Sequence, residues 1–324
     1  MVKISLLFLS VFSLFCYMIP GFILKKTNLV GDEFSKGLSK YILYIAQGGM
    51  LLHGFISKFD PKVFKGIALV FVFSLVAHVL FYVLAKQMFK KAPDKVKRVL
   101  QFGMIFSNAG YMGIPVINDV FGPEYTIYAS VYVVWFNLLA FSLGRMIYTD
   151  DKKFISVKKI FLNPAVVPIT IGLVIYLRGF GGWISETITQ SGFGAGVLRA
   201  LYDIITAVKA TVAPTSMMVI GAKLADIKFN GILRDRFLYP FVFVRMFLFP
   251  AIIWAIMRVF YAFGMVDMTV LSVVLILSST PSAAMTTMFA ELYGGDAPYA
   301  GKLVAITTML SVVTMPITAL LLKI

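Results

Sequence analysis

The run Ser107-Asn108-Ala109-Gly110-Tyr111-Met112-Gly113-Ile114-Pro115 sets an asparagine amide, two glycines and a proline inside an otherwise apolar stretch. A second run, Ser278-Ser279-Thr280-Pro281-Ser282-Ala283-Ala284, interrupts an apolar stretch of the other half in the same way. Breaking a helix leaves unpaired backbone N–H groups at the start of its second piece, with about half a positive charge there. Such a start binds a carboxylate without any basic side chain. Pro115 and Pro281 cannot donate, whereas Gly110 and Gly113 let a ligand or a neighbouring backbone come close. Asn108 can donate to a carboxylate oxygen while its own carbonyl accepts from a freed N–H. Thr280 and Ser282 can act alike in the second run, where Ser279 and Thr280 stand evenly between ligand contact and satisfaction of the broken backbone. The candidate binding set is Asn108, Gly110, Gly113, Pro115, Thr280, Pro281 and Ser282, with the glycines and prolines acting through the backbone.

Ionisable side chains within apolar stretches are expensive in lipid and functional by default. Lys209 lies five residues before Pro214. It either attracts an anion into a cavity, which adds it to the binding set, or pairs with Asp203 or a carbonyl. Asp203 is six residues earlier, about 240° round a helix and 9 Å along it, so a same-face pair with Lys209 is not expected. His78 falls four residues after Ser74 on the same helix face and can carry a proton in a coupled cycle. Asp119 and Glu291 close the two interrupted stretches. His78, Asp203, Asp119 and Glu291 are the candidates for a coupling ion, each against the plainer reading of a satisfied or solvated polar group. Arg245 reads as a helix-packing anchor.

The elements that must position these groups follow from composition. Apolar residues make up 60% of the 324-residue chain and charged residues 14%, and the mean hydropathy is +0.89. Apolar runs of roughly 20 residues, enough to cross a bilayer, recur throughout. Ten segments are expected, over 4–24, 38–57, 66–89, 99–121, 125–148, 164–180, 197–224, 238–263, 268–293 and 299–322. The first is too long for a signal-peptide core and lacks a small-residue cleavage site, so it reads as a retained helix. The net charge of +15 belongs to membrane flanks rather than to a nucleic-acid partner, because the basic residues cluster between apolar runs. Most of them lie in the odd-numbered loops, which places both termini outside the cell membrane and requires an even number of spans.

Ten spans divide into a repeat over 1–148, a cytoplasmic connector over 149–162 and a repeat over 163–324, the two repeats opposite in orientation. Sliding the fourth segment onto the ninth pairs Ser107 with Ser279, Asn108 with Thr280, Asp119 with Glu291, Phe121 with Tyr293 and Gly122 with Gly294. Each segment is broken near its middle and closes with an acid and an aromatic–glycine pair. An inverted repeat with interrupted helices points to the binding site of a secondary transporter.

Asn108-Ala109-Gly110-Tyr111-Met112-Gly113-Ile114-Pro115 resembles the N-x-G-x-x-G-x-P signature of the auxin efflux carrier family, which includes bacterial malate and malonate permeases. Asn163-Pro164, the stretch Pro214 to Leu224, and Ser279 to Ala284 followed by Ala290 to Asp296 are similar to the same family in the same order. The resemblance implies an all-α membrane protein of ten helices in two inverted five-helix repeats, with helices 4 and 9 crossing at their breaks. It further implies a scaffold of helices 1, 2, 6 and 7 beside a transport unit of helices 3–5 and 8–10. No long central loop is present, as in a bacterial-type member.

The expected function is carriage of small organic anions, mono- or dicarboxylates such as malate or malonate, by an elevator-like movement. A membrane-embedded anion sensor that moves nothing is the alternative. No zinc, P-loop or serine-hydrolase motif appears, so no enzyme, metal site or cofactor is expected. The single cysteine, Cys16, forms no disulfide within the chain. Coupling to H+ or Na+ and a homodimer are left open. A surface helix is expected over 150–161.

Overall fold

The computed structural model describes residues 4–150, 166–226 and 234–323. The surface helix expected over 150–161, the connector beyond Asp150, and Asn163-Pro164 lie outside the described residues. Among the described residues the architecture is all-helical, with no strand. In chain order the helices are α1 (Ile4–Lys26), α2 (32–54), α3 (Pro61–Gln87), α4a (Asp94–Ile105), α4b (109–121) and α5 (Pro123–Thr149). Then come α6a (Val166–Leu177), α6b (Phe180–Thr187), α7 (Phe193–Ala225), α8 (Leu238–Ala262), α9a (Met268–Ser279), α9b (Met285–Tyr293) and α10 (Ala297–Lys323).

Six of these, α1, α3, α5, α7, α8 and α10, are long and apolar enough to cross a membrane. The α6a/α6b pair, bent by 83°, makes a seventh if it is one span. The other three expected segments are α2, whose first turns are polar, and the broken α4 and α9. Leu9, Val72, Val79, Ile204, Phe243 and Val313 stand exposed on five different long helices, an apolar exterior suited to lipid rather than water.

Local chemistry starts and joins the helices. Asp60 caps α3 by accepting from the Lys62 N–H at 2.7 Å, with Pro61 as the first helical residue. Asp267 caps α9a through Val270, and Asp296 caps α10 through Tyr299. The helices α1 and α7 meet backbone to backbone at two glycines. A Cβ on Gly21 would lie 2.0 Å from the Met218 carbonyl oxygen, and one on Gly221 would lie 1.9 Å from that of Met18. Small residues at a crossing let membrane helices gain packing where no hydrophobic drive separates helix from lipid. Helix α2 packs on α7 and α6a, α3 on α5 and α9a, and α8 on α9a.

Candidate functional site

The two breaks meet. Helix α4a ends at Ile105, Phe106 turns to an extended conformation, and α4b resumes in a π turn over Ala109–Gly113. Helix α9a ends at Ser279, Thr280 is extended, and α9b begins at Met285. Between them Ser107 and Ser282 form an antiparallel bridge. The Asn108 N–H donates to the Pro281 carbonyl at 2.7 Å, and the Ala283 N–H donates to the Phe106 carbonyl at 2.9 Å. The Asn108 carbonyl accepts from Met112 and Gly113 at 3.1 and 3.0 Å. Each break therefore satisfies part of the other, which membrane depth requires of non-helical backbone. Of the freed N–H groups that the sequence leads one to expect here for a ligand, some are spent on this mutual bridge.

Side chains at the crossover divide in two. The Ser279 and Thr280 hydroxyls donate to carbonyls three residues back, Ile276 and Leu277, and Ser282 donates to the Gly103 carbonyl at 3.1 Å. These hydroxyls serve backbone, the plainer of the two roles weighed for them. Asn108 is 2% exposed and its amide nitrogen has no partner among the described residues. A buried donor of this kind is unfavourable until something accepts from it. Gly113 sits where a Cβ would meet the Leu277 side chain at 2.5 Å, so its role is close helix approach; at Gly110 the nearest atom is Val133 Cγ1 at 3.6 Å. Pro115 lies in the first turn of the α-helical part of α4b.

A line of spaces leads to this point from one face. A vestibule of about 690 Å³ is lined by residues from the α1–α2, α7–α8 and α9–α10 ends, among them Lys36, Lys223, Glu291 and Lys302. Beside it Asp235, outside the apolar helices, is pushed up by burial. The Lys302 ammonium and the N–H groups of Phe237 and Leu238 outweigh that and hold its carboxyl below the usual range. Lys223 and Glu291 also line a narrower space of about 30 Å³ that reaches Tyr111, Ala284 and Met285. Those three residues in turn line the tight crevice that holds Asn108, Gly110 and Gln47.

Other expected residues fall elsewhere. Lys209 is half-buried with its ammonium 3.2 Å from His53 Nδ1, and the Tyr202 hydroxyl lies 3.2 Å from His53 Nε2. It joins α7 to α2 and does not line the crossover crevice, because its side of α7 faces the end of α2. Asp203 is exposed on α7 and Lys209 does not pair with it. His78 is 1% exposed, with Nδ1 2.7 Å from the Ser74 carbonyl, the same-face relation expected. Asp119 accepts from the Ser10 hydroxyl at 2.8 Å, and Glu291 accepts from Lys223 at 2.5 Å. Arg245 is fully buried and donates to the carbonyls of Ser278 and Thr280 at 2.8 and 2.7 Å. A cation here complements the negative C-terminal end of α9a.

Sequence reasoning passed over Gln47 and Asn137. Gln47 is fully buried on α2, donates to the Asn137 side-chain oxygen at 3.1 Å and accepts from the Tyr111 hydroxyl at 3.2 Å. Both are neutral amides in apolar stretches, but neither lies at a helix break of the kind that marks Asn108 in the sequence.

The family model described as membrane transport protein matches residues 6–153 and 149–319. A protein of Methanocaldococcus jannaschii described as an uncharacterized transporter is 22% identical in an alignment 317 positions long that covers 91% of this chain and 92% of that relative.

Proposed function

Because the chain belongs to the membrane transport protein family, that of the auxin efflux carriers, we propose that this transporter is a secondary carrier of small organic anions. The substrates are mono- or dicarboxylates such as malate or malonate. The observation that carries the reading is the line of spaces that ends at the buried, unpartnered Asn108 amide. An amide donor, two helix starts and no acidic side chain in that crevice suit an anion. Lys209, set against His53, is left with a structural role.

In this proposal the chain spans the plasma membrane ten times in two inverted repeats, with both termini extracytoplasmic. Helices α3–α5 and α8–α10 move as one unit against α1, α2, α6 and α7. The pairing of Asp119 with Glu291 supports the repeat, since each closes a second half-helix and bonds a helix of the other group. The gathering of odd-numbered loop residues around one vestibule supports the topology.

Purified protein in proteoliposomes, offered labelled malonate, malate or acetate with and without proton and sodium gradients, tests this directly. Saturable uptake of at least one supports the carrier. Tight binding without flux makes the protein a receptor, and neither binding nor flux refutes the reading.

A further inference from the structure

Three sets of ion pairs border the vestibule, and they differ in what they tie together. Lys25 contacts Asp32 at 2.6 Å and Asp226 at 3.6 Å, within the α1, α2 and α7 group. Lys302 contacts Asp235 at 2.6 Å, within the α8 and α10 group. Lys223 contacts Glu291 at 2.5 Å and crosses from α7 to α9b, between the two groups. Its position is also distinct. Both residues line the wide vestibule and the narrow space beyond it, so the pair stands in the throat between them. The two side chains are 21% and 30% exposed, wetted from the vestibule. Glu291 is seven residues beyond Ala284, about 10 Å along α9b from the break.

We propose that Lys223 is an anion-exchange gate: Glu291 occupies its ammonium in this conformation, and an entering substrate carboxylate takes the place of Glu291. The proposal rests on the organic-anion reading above. Replacing one carboxylate by another keeps the charge-assisted hydrogen bond, whereas opening the pair for a neutral solute leaves a partly dehydrated ammonium without its anion. Glu291, once displaced, is repelled by the anion that displaced it, so arrival of substrate and opening of the throat are one event. The counterpart on the opposite face has no such chemistry. Asp119 is held there by the neutral Ser10 hydroxyl at 2.8 Å, which offers an incoming carboxylate no cation to capture. Selection for anions is therefore built into the vestibule side.

Lys223→Gln and Glu291→Gln both abolish the ion pair, yet exchange predicts opposite effects on malonate affinity measured by calorimetry. Loss of Lys223 should weaken binding about tenfold or more, the effect of losing a hydrogen bond to a charged group. Loss of Glu291 removes an internal competitor and should tighten binding, about tenfold for a pair closed about 90% of the time. A simple strut would move both variants in the same direction, and that result overturns the proposal. A second readout needs no substrate. In a Cys16→Ala background, Ser216→Cys places a thiol beyond the throat at a residue 1% exposed. An anionic methanethiosulfonate should modify it faster than a cationic one, and Lys223→Gln should cut that difference sharply, leaving only what Lys36 and Lys302 of the vestibule contribute. Equal rates for the two reagents with Lys223 in place would overturn the gate. Malonate failing to bind the wild type while the anion advantage holds would fault the substrate reading alone.

Discussion

Asn108→Ala should separate binding from folding. The backbone of Asn108 holds the crossover together, through its N–H to Pro281 and its carbonyl to Met112 and Gly113, and alanine keeps all three bonds. What alanine removes is a carboxamide that is 2% exposed with its nitrogen unpartnered. An unsatisfied buried donor is unfavourable by about 1–3 kcal/mol, so its deletion offsets the packing given up with the side chain. The melting temperature of the empty protein should therefore shift by no more than about 2–4 °C, the response to roughly 1 kcal/mol. A bound carboxylate changes the sign of the argument. A hydrogen bond to a charged group contributes about 1.5–3 kcal/mol, and its loss weakens malonate binding about 10- to 150-fold. Asn108→Asp should be worse still, since it sets a second negative charge beside the anion and replaces a donor by an acceptor-only group. Calorimetry and thermal unfolding on matched, monodisperse protein measure both halves. Malonate affinity equal to wild type would take Asn108 out of the site, and a large fall in melting temperature would make its amide structural.

Gly21→Ala and Gly221→Ala each drive a Cβ into a facing carbonyl oxygen at 2.0 and 1.9 Å, whereas nothing lies within 4 Å of a Cβ on Gly31. The first two should cost at least about 1–3 kcal/mol in thermal unfolding and Gly31→Ala nothing measurable; equal melting of all three would refute the close seam. Arg245→Met leaves the Ser278 and Thr280 carbonyls buried without donors and should destabilise by about 2–5 kcal/mol. Arg245→Lys should recover only part, because an ammonium lacks the planar fork that spans two carbonyls; full recovery would speak against a two-carbonyl cap. Single cysteines at the exposed Lys95 and Glu186, in a Cys16→Ala background, should react with an impermeant reagent from opposite sides of the membrane. Labelling of both from outside would refute the proposed topology.

Asn108, Gly110, Gly113 and Pro115 were conspicuous in the sequence because an amide, glycines and proline are out of place in an apolar run. Their mutual dependence with Pro281 and Ala283 was not, since the partner of a broken backbone is decided by where another helix crosses. Lys209 shows the same limit. Its depth was readable from its place in the run, but the group it faces depends on the packing of α2, which brings His53 to it. The 99–121 and 268–293 segments were readable as interrupted units, yet their halves fall short of a span by length alone. With the polar first turns of α2 and the bend within α6 added to these, six or seven helices among the described residues meet that measure where hydropathy suggested ten. Gln47 and Asn137 stayed hidden because two neutral amides stand out only when a turn of α2 carries one against the other.

The bridge between the two breaks also sets a timetable for synthesis. Ser282 and Gly103, which it brings into hydrogen-bond contact, are 179 residues apart. At ribosomal speeds of about 5–20 residues per second, roughly 10–40 s separate the emergence of the first break from that of the second. Through that interval the Phe106 carbonyl and the Asn108 N–H lack the partners that residues 281 and 283 later supply, and hydrocarbon supplies none. The break in α4 is completed only once α9 has been made, and a chain cut short after α5 leaves the Phe106 carbonyl and the Asn108 N–H without these partners.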